Sequence, residues 1–258
     1  MSAPRRVWLT GASSGLGHEL ALQLLNQGHH LALSARSVEP LQALERRFPG
    51  QVLLAPGDLA DAEQVRAIGQ RILQTWGALD QVILNAGTCE YIDVRQFEAA
   101  MIERVVKTNL FASAYCVEAA LPLLRKGKHP HLVGVASAVT FLPLTRSQAY
   151  GASKAGVRYL YESLRIDLAP EGIEVTVVSP GFVKTPLTDR NDFAMPMLWS
   201  ADKAARHIAA RLDKRPMEIA FPWPFITALR ALACLPRRLS LRLTQRMVRD
   251  TSKESEQA

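Results

Sequence analysis

Residues 6–17 read RVWLTGASSGLG: an apolar run of strand length breaks at Thr10 into glycines and serines, and a segment of helical period follows. In that setting each glycine has a use. Gly11 permits a tight turn, Gly15 lets a phosphate approach the backbone, and Gly17 lets the helix pack on the strand it has just left. The free N–H groups at the start of the helix would then face a pyrophosphate, with Ser13, Ser14 and Leu16 completing the turn. The spacing is G-x3-G-x-G rather than the commoner G-x-G-x-x-G, and glycines with serines also build plain loops. The position between a strand and a helix favours a dinucleotide turn.

Outward from this turn the pattern repeats. Apolar runs of strand length lie at 30–35 (HLALSA) and begin at 51 (QVLLAP), 79 (LDQVILNAG), 131 (HLVGVAS), 173 (IEVTVVSPG) and 217 (MEIAF). Amphipathic segments near 16–27, 39–48, 61–75, 98–125, 150–169 and 201–212 alternate with them, Asp61 and Ser200 standing as N-caps before two. Near-continuous apolar runs suit strands buried on both faces of a parallel sheet. The expected fold is α/β, a single doubly wound, Rossmann-type domain with roughly seven parallel strands, over residues 1–222, followed by a helical, basic C-terminal extension over 223–258.

Composition agrees: 258 residues, 48% hydrophobic and 21% charged, are those of a globular chain with ample side chains for a core. Cys89, Cys116 and Cys234 are odd in number and widely spaced, so reduced thiols in a cytoplasmic protein are expected. His29-His30 and HPH at 129–131 lack metal spacing, so no metal is expected, and these histidines are read as surface or strand-edge residues. The N-terminus has no long apolar segment of signal-peptide kind, and no run reaches the roughly 20 apolar residues that cross a bilayer. The formal charge is +7, and residues 223–249 hold six arginines and no acid.

Three further features sit at strand ends and a fourth on a helix. The second strand ends at Ala35-Arg36, with no carboxylate before Glu39. A ribose 2′-hydroxyl wants a carboxylate there and a 2′-phosphate wants an arginine, so NADP (NADPH) is expected over NAD. Asp58 and Leu59, in GDL at 57–59, would meet the adenine; a turn-forming aspartate is the alternative. Asn85, Ala86 and Gly87 form a turn where Asn85 can brace neighbouring loops and the small residues leave room for a ribose. Tyr150 and Lys154, in QAYGASKAG, are four apart on an expected helix and share one face. Bringing a phenol from pKa 10 to near 7 needs about 3 units, roughly 4 kcal/mol, more than a screened ammonium supplies but within reach of a sheltered lysine beside an oxidised nicotinamide.

TGASSGLG, NAG, YGASK and PGFVKT in this order closely resemble the short-chain dehydrogenase/reductase family over residues 5 to about 222. The resemblance implies a catalytic set of Asn109, Ser137, Tyr150 and Lys154. Tyr150 would be the general acid/base, Lys154 its partner on the nicotinamide ribose, Ser137 the ligand of the substrate oxygen, and Asn109 the helix-bending residue that holds a relay water. It also implies that Pro180 and Gly181 pass under the nicotinamide, that Val183 meets its carboxamide and that Thr185 faces the phosphates. A homodimer or homotetramer, paired through 98–125 and 150–169, is expected on the same ground.

The implied reaction interconverts a carbonyl and an alcohol by hydride transfer. The segment after Thr185 is read as a substrate lid whose Phe193, Met195, Met197, Leu198 and Trp199 suit a hydrophobic small molecule, or simply pack the lid on the core. A non-catalytic NADP-binding regulator is the alternative, against which the complete catalytic set argues. Nucleic acid is not expected, since the basic tail lacks interleaved aromatics. The tail reads as two short helices broken at Pro236. Arg238, Arg242, Arg246 and Arg249 share a face of the second, beside Leu239, Leu243 and Met247; Phe225, Leu229 and Leu232 mark the first. Closure of the substrate pocket and a peripheral membrane contact both stay open.

Overall fold

The computed structural model describes residues 3–191 and 193–245. Seven parallel strands build one sheet: β1 (Arg6–Thr10), β2 (His30–Ser34), β3 (Val52–Leu54), β4 (Gln81–Leu84), β5 (His131–Val135), β6 (Glu174–Pro180) and, after two short strands β7 (Val183–Lys184) and β8 (Trp199–Ser200) that pair with each other, β9 (Glu218–Phe221). The sheet order is β3-β2-β1-β4-β5-β6-β9. Strands β2 and β4 flank β1, so successive crossovers leave it on opposite sides and a crevice opens beyond the carboxyl ends of β1 and β4.

The helices are α1 (Gly15–Asn26), α2 (Glu39–Arg47), α3 (Ala62–Trp76), α4 (Ala99–Val106), α5 (Ala112–Leu124), α6 (Gln148–Leu168), α7 (Ala201–Leu212), α8 (Trp223–Ala233) and α9 (Arg237–Gln245). Side-chain alternation along β1 sorts them into two layers. Val7 and Leu9 pack with Leu20 and Leu24 of α1, Leu41 of α2 and Ile208 of α7. Trp8 points to the other face, with Ile68 and Ile72 of α3, Ala120 of α5 and Val157 and Tyr161 of α6. Each such buried Leu or Ile contributes about 1.5–3 kcal/mol relative to exposure. Asp61 caps α3 by accepting from the N–H of Glu63 and Gln64, and Ser200 caps α7 by accepting from that of Lys203.

Two expectations need correction. The single helix read over 98–125 is two α-helices joined by a turn of π-helix over Lys107–Phe111. Inside that turn Asn109 is buried, and its amide makes three tertiary hydrogen bonds that hold the wider turn. His29 and His131 are buried rather than on the surface. His131 begins β5, and its Nδ1 meets Gln81 Nε2 at 2.8 Å while its Nε2 meets Thr176 Oγ1 at 2.8 Å. Thr176 donates onward to the Pro216 carbonyl, which makes the ring a neutral link across three strands. Burial pushes its pKa down to about 3.

The lid residues divide. Phe193 turns towards Tyr91 and Phe182, Trp199 stacks on Phe221 at 5.0 Å, and Met197 and Leu198 are exposed. Beyond β9, α8 and α9 flank Pro236; Ile226 and Leu229 of α8 pack against Ala138 and Leu142, just past β5. Arg246, Met247 and Arg249 lie outside the described residues. Among the described residues no helix is long and apolar enough to cross a membrane.

Candidate active site

The crevice holds a cavity of about 370 Å³. Its wall contains the glycine turn from Gly11 through Ser13, Ser14, Gly15 and Leu16 to Gly17. It also contains Arg36, Asp58 and Leu59, the Asn85–Gly87 loop, Ser137, Tyr150 and Lys154, and Pro180, Gly181, Val183 and Thr185. Asn109 stands behind this wall, in a second, small void that Lys154 also lines.

The turn after β1 fits a dinucleotide on physical grounds. Gly11 has φ +68°, and a Cβ there would meet the Ala86 Cα at 2.9 Å; at Gly17 it would meet the Gly11 carbonyl oxygen at 2.1 Å. The turn is therefore open to glycine alone at these points. Asn85 ties it to β4, its amide donating to the Thr10 carbonyl at 3.1 Å while its own N–H donates to Thr10 Oγ1. No side chain caps α1, so its first N–H groups remain available at the cavity. Arg36 is exposed at the rim, with no ion pair among the described residues.

Helix α6 carries Tyr150 and Lys154, and close packing sets its depth. A Cβ on Gly134 of β5 would lie 2.4 Å from the Tyr161 ring, so only glycine lets α6 approach this near. One consequence is that buried Lys154 donates from Nζ to the Val135 carbonyl at 2.8 Å. The π-turn meets the same helix, since Asn109 Nδ2 donates to Ser153 Oγ at 2.8 Å and that hydroxyl donates to the Tyr150 carbonyl at 2.8 Å. Asn109 also holds Thr88, next to Gly87, through Oδ1 and Nδ2 at 2.7 and 2.9 Å. Four segments thus converge on one point.

Tyr150 and Ser137 line the same end of the cavity, and Ser137 Oγ accepts from the Val139 N–H at 3.2 Å. Burial raises the Tyr150 pKa, and the nearby Cys89 raises it further, against the opposing hydrogen bond from Ser137. Burial lowers Lys154 to about 8. At neutral pH the phenol is therefore a proton donor beside a cation, and making it a base takes further positive charge. Sequence reasoning named Phe225 on the tail but missed Thr88, Tyr91 and Phe182. Thr88 follows the Asn85 turn directly, whereas the two rings carry no local signal.

The comparisons with known proteins agree. The short chain dehydrogenase family model matches residues 5–194. An uncharacterized oxidoreductase of Myxococcus xanthus is 36% identical over 243 residues, 91% of this chain and 94% of that one. An 11-beta-hydroxysteroid dehydrogenase-like protein of Arabidopsis thaliana is 33% identical over 189 residues, 70% of this chain and 60% of that one. A solved short-chain dehydrogenase from Streptomyces avermitilis shares the fold with a TM-score of 0.80 over 98% of both chains, at 23% identity. The glycine turn, the seven-stranded sheet and these matches together make the chain an oxidoreductase of the short-chain dehydrogenase family, built for a nicotinamide nucleotide.

Proposed function

We propose that the protein is an NADP(H)-dependent reductase that interconverts a hydrophobic ketone or aldehyde with its alcohol. The observation that carries this reading is Ser137 and Tyr150 together beside buried Lys154, on the wall of a cavity that also reaches Arg36. The bound nicotinamide supplies the hydride. Ser137 and Tyr150 hold the substrate oxygen, and Tyr150 donates its proton as negative charge develops there. Lys154, anchored on Val135, keeps a positive charge behind the phenol, and Asn109 fixes the α6 turn that presents both. Arg36 would clamp a 2′-phosphate, and Asp58 and Leu59 would lie against the adenine. The Arabidopsis relative's name, a hydroxysteroid dehydrogenase-like protein, supports an apolar carbonyl substrate. Following NADPH consumption across a panel of hydrophobic ketones and aldehydes tests the reading; turnover of none, with NADPH bound, overturns it.

A second reading concerns α9, which exposes Leu239 and Leu241 among Arg237, Arg238 and Arg242. No acidic residue occurs in the sequence between Glu218 and Asp250. Such a surface suits shallow contact with anionic lipid. Since α8 packs against the Ser137 side of the site, truncation would disturb that wall, and substitution is the cleaner test. Sedimentation with anionic vesicles should weaken with salt and be lost on joint Arg238→Ser, Leu239→Ser and Arg242→Ser substitution. Binding that the triple variant retains, or no binding by the parent, removes the contact.

A further inference from the structure

Four aromatic rings from four separate segments form a row beside the reaction centre. Tyr91 meets Phe193 edge to face, with centroids 5.3 Å apart at 88°; Phe193 meets Phe182 at 6.0 Å and 64°; Phe182 meets Phe225 at 5.6 Å and 43°. The two ends of this row rest on the two sides of the site. Phe225 Cδ1 lies 3.0 Å from where a Cβ on Gly181 would stand, beside the expected nicotinamide position. At the other end Ile92, next to Tyr91, packs against Ala149, next to Tyr150, and its N–H donates to the Arg146 carbonyl at 3.2 Å. All four rings are half-buried. Tyr91, Phe182 and Phe193 belong to none of the hydrophobic clusters of the core.

We infer that this arch selects flat, cyclic carbonyl compounds: aryl ketones and fused-ring ketones in preference to open-chain ones. The inference rests on the carbonyl-reductase reading above and names its substrate class. Its basis is geometric. The reacting carbon must lie between Tyr150, which protonates the oxygen, and the nicotinamide beside Gly181, and the arch spans that interval. Edge-to-face and tilted rings are the arrangements in which another ring can replace a neighbour with little loss of contact, since each ring edge meets a π face in either state. A rigid ring also gives up less conformational freedom on binding than an alkyl chain of equal carbon number. The Arg146 guanidinium lies over the Tyr91 ring, 5.9 Å from its centre, while the other three rings offer apolar faces.

The experiment compares 1-tetralone with 2-decanone, a fused aryl ketone and an open-chain ketone of equal carbon count, as substrates of the NADPH-loaded full chain. The expected kcat/KM ratio favours 1-tetralone at least tenfold. In Phe193→Leu, which keeps apolar bulk but removes the ring, the ratio should fall to within about threefold of unity; Phe225→Leu should do the same from the opposite end. A parent ratio at or below one overturns the inference while leaving carbonyl reduction standing, as does a tenfold preference that survives both substitutions. If neither ketone turns over although NADPH binds, the reductase reading fails, and calorimetric titration of each ketone into the NADPH-loaded Tyr150→Phe protein decides the arch separately. Tighter binding of 1-tetralone supports it, and equal or absent binding overturns it.

Discussion

Arg158 and Glu218 stand 60 positions apart in the chain and 2.6 Å apart in the structure. The same carboxylate takes Arg230 on its other oxygen and accepts from Ser179 Oγ at 2.8 Å. The two guanidinium groups both lie over the Phe141 ring, 5.0 and 4.7 Å from its centre. One acid thereby joins α6, the loop after Ser137, the end of β6 next to Pro180, and α8. Glu218→Gln removes the acid the two cations share and leaves Arg158 its pair with Glu162 at 2.8 Å. Removing one partner of a fully buried pair costs about 3–5 kcal/mol; these groups are partly exposed, so about 2 kcal/mol is expected. A fall of about 4–8 °C in Tm would register it, and a shift below about 1 °C would deny the acid its role.

Tyr150→Phe removes the proton donor and leaves the glycine turn and Arg36 untouched. Turnover should fall by about 10²–10⁴, the usual contribution of a positioned acid, with NADPH affinity within a few-fold of the parent. Stopped-flow traces and fluorescence titration give both numbers. Activity within about threefold of the parent contradicts the assignment.

Arg36→Ala should weaken NADPH about tenfold to a hundredfold, the range of a charge-assisted hydrogen bond or two, and leave NADH nearly unchanged. Equal losses for both cofactors in calorimetry would place the guanidinium away from the 2′-phosphate.

His131 makes stability fall with acid. Its folded pKa is about 3 against 6.5 in the unfolded chain, so between those values the unfolded state binds more protons. The stabilisation is complete above pH 6.5 and is lost progressively as pH falls towards 3. From pH 7 to 5 this amounts to at most about 2 kcal/mol. His131→Gln should lower stability at pH 7 yet flatten the slope of urea midpoints between pH 7 and 5; an unchanged slope would mean the imidazole is already charged.

Tyr159 and Ile166 on α6, at 77% and 74% exposure, with Phe111 at the π-turn, form an apolar face on the helices expected to pair. Tyr159→Glu with Ile166→Glu should turn a dimer or tetramer into a monomer in light scattering at micromolar concentration. A parent that is already monomeric at that concentration removes the proposed assembly.

The strands, most helices and the glycine turn were legible because their causes are local: period, caps and residues that only one backbone shape tolerates. Asp61 and Ser200 announced their helices by type and place. Other features were not, because their causes are distant. The π-turn keeps the apolar rhythm of a plain helix, and what widens it is Asn109 reaching Thr88 and Ser153. His131 looked like a polar residue at a strand edge until Gln81 and Thr176, from neighbouring strands, satisfied it. Tyr91, Phe182, Phe193 and Phe225 lie in different segments and acquire a common purpose only when the sheet brings their loops together. Glu218 is one acid among many until two arginines close on it.

The placing of Phe225 also orders events during synthesis. A chain made from its amino end holds every described residue of the nucleotide crevice by Thr188, and α7 and the last strand of the sheet by Phe221, before Phe225 exists. A nascent chain at that stage could already hold the nucleotide but would lack a covering ring on the substrate side. Competence for the coenzyme therefore precedes competence for the second reactant, and ribosome-bound chains stalled between these points should retain the dye-displaceable coenzyme while discriminating poorly between ketones.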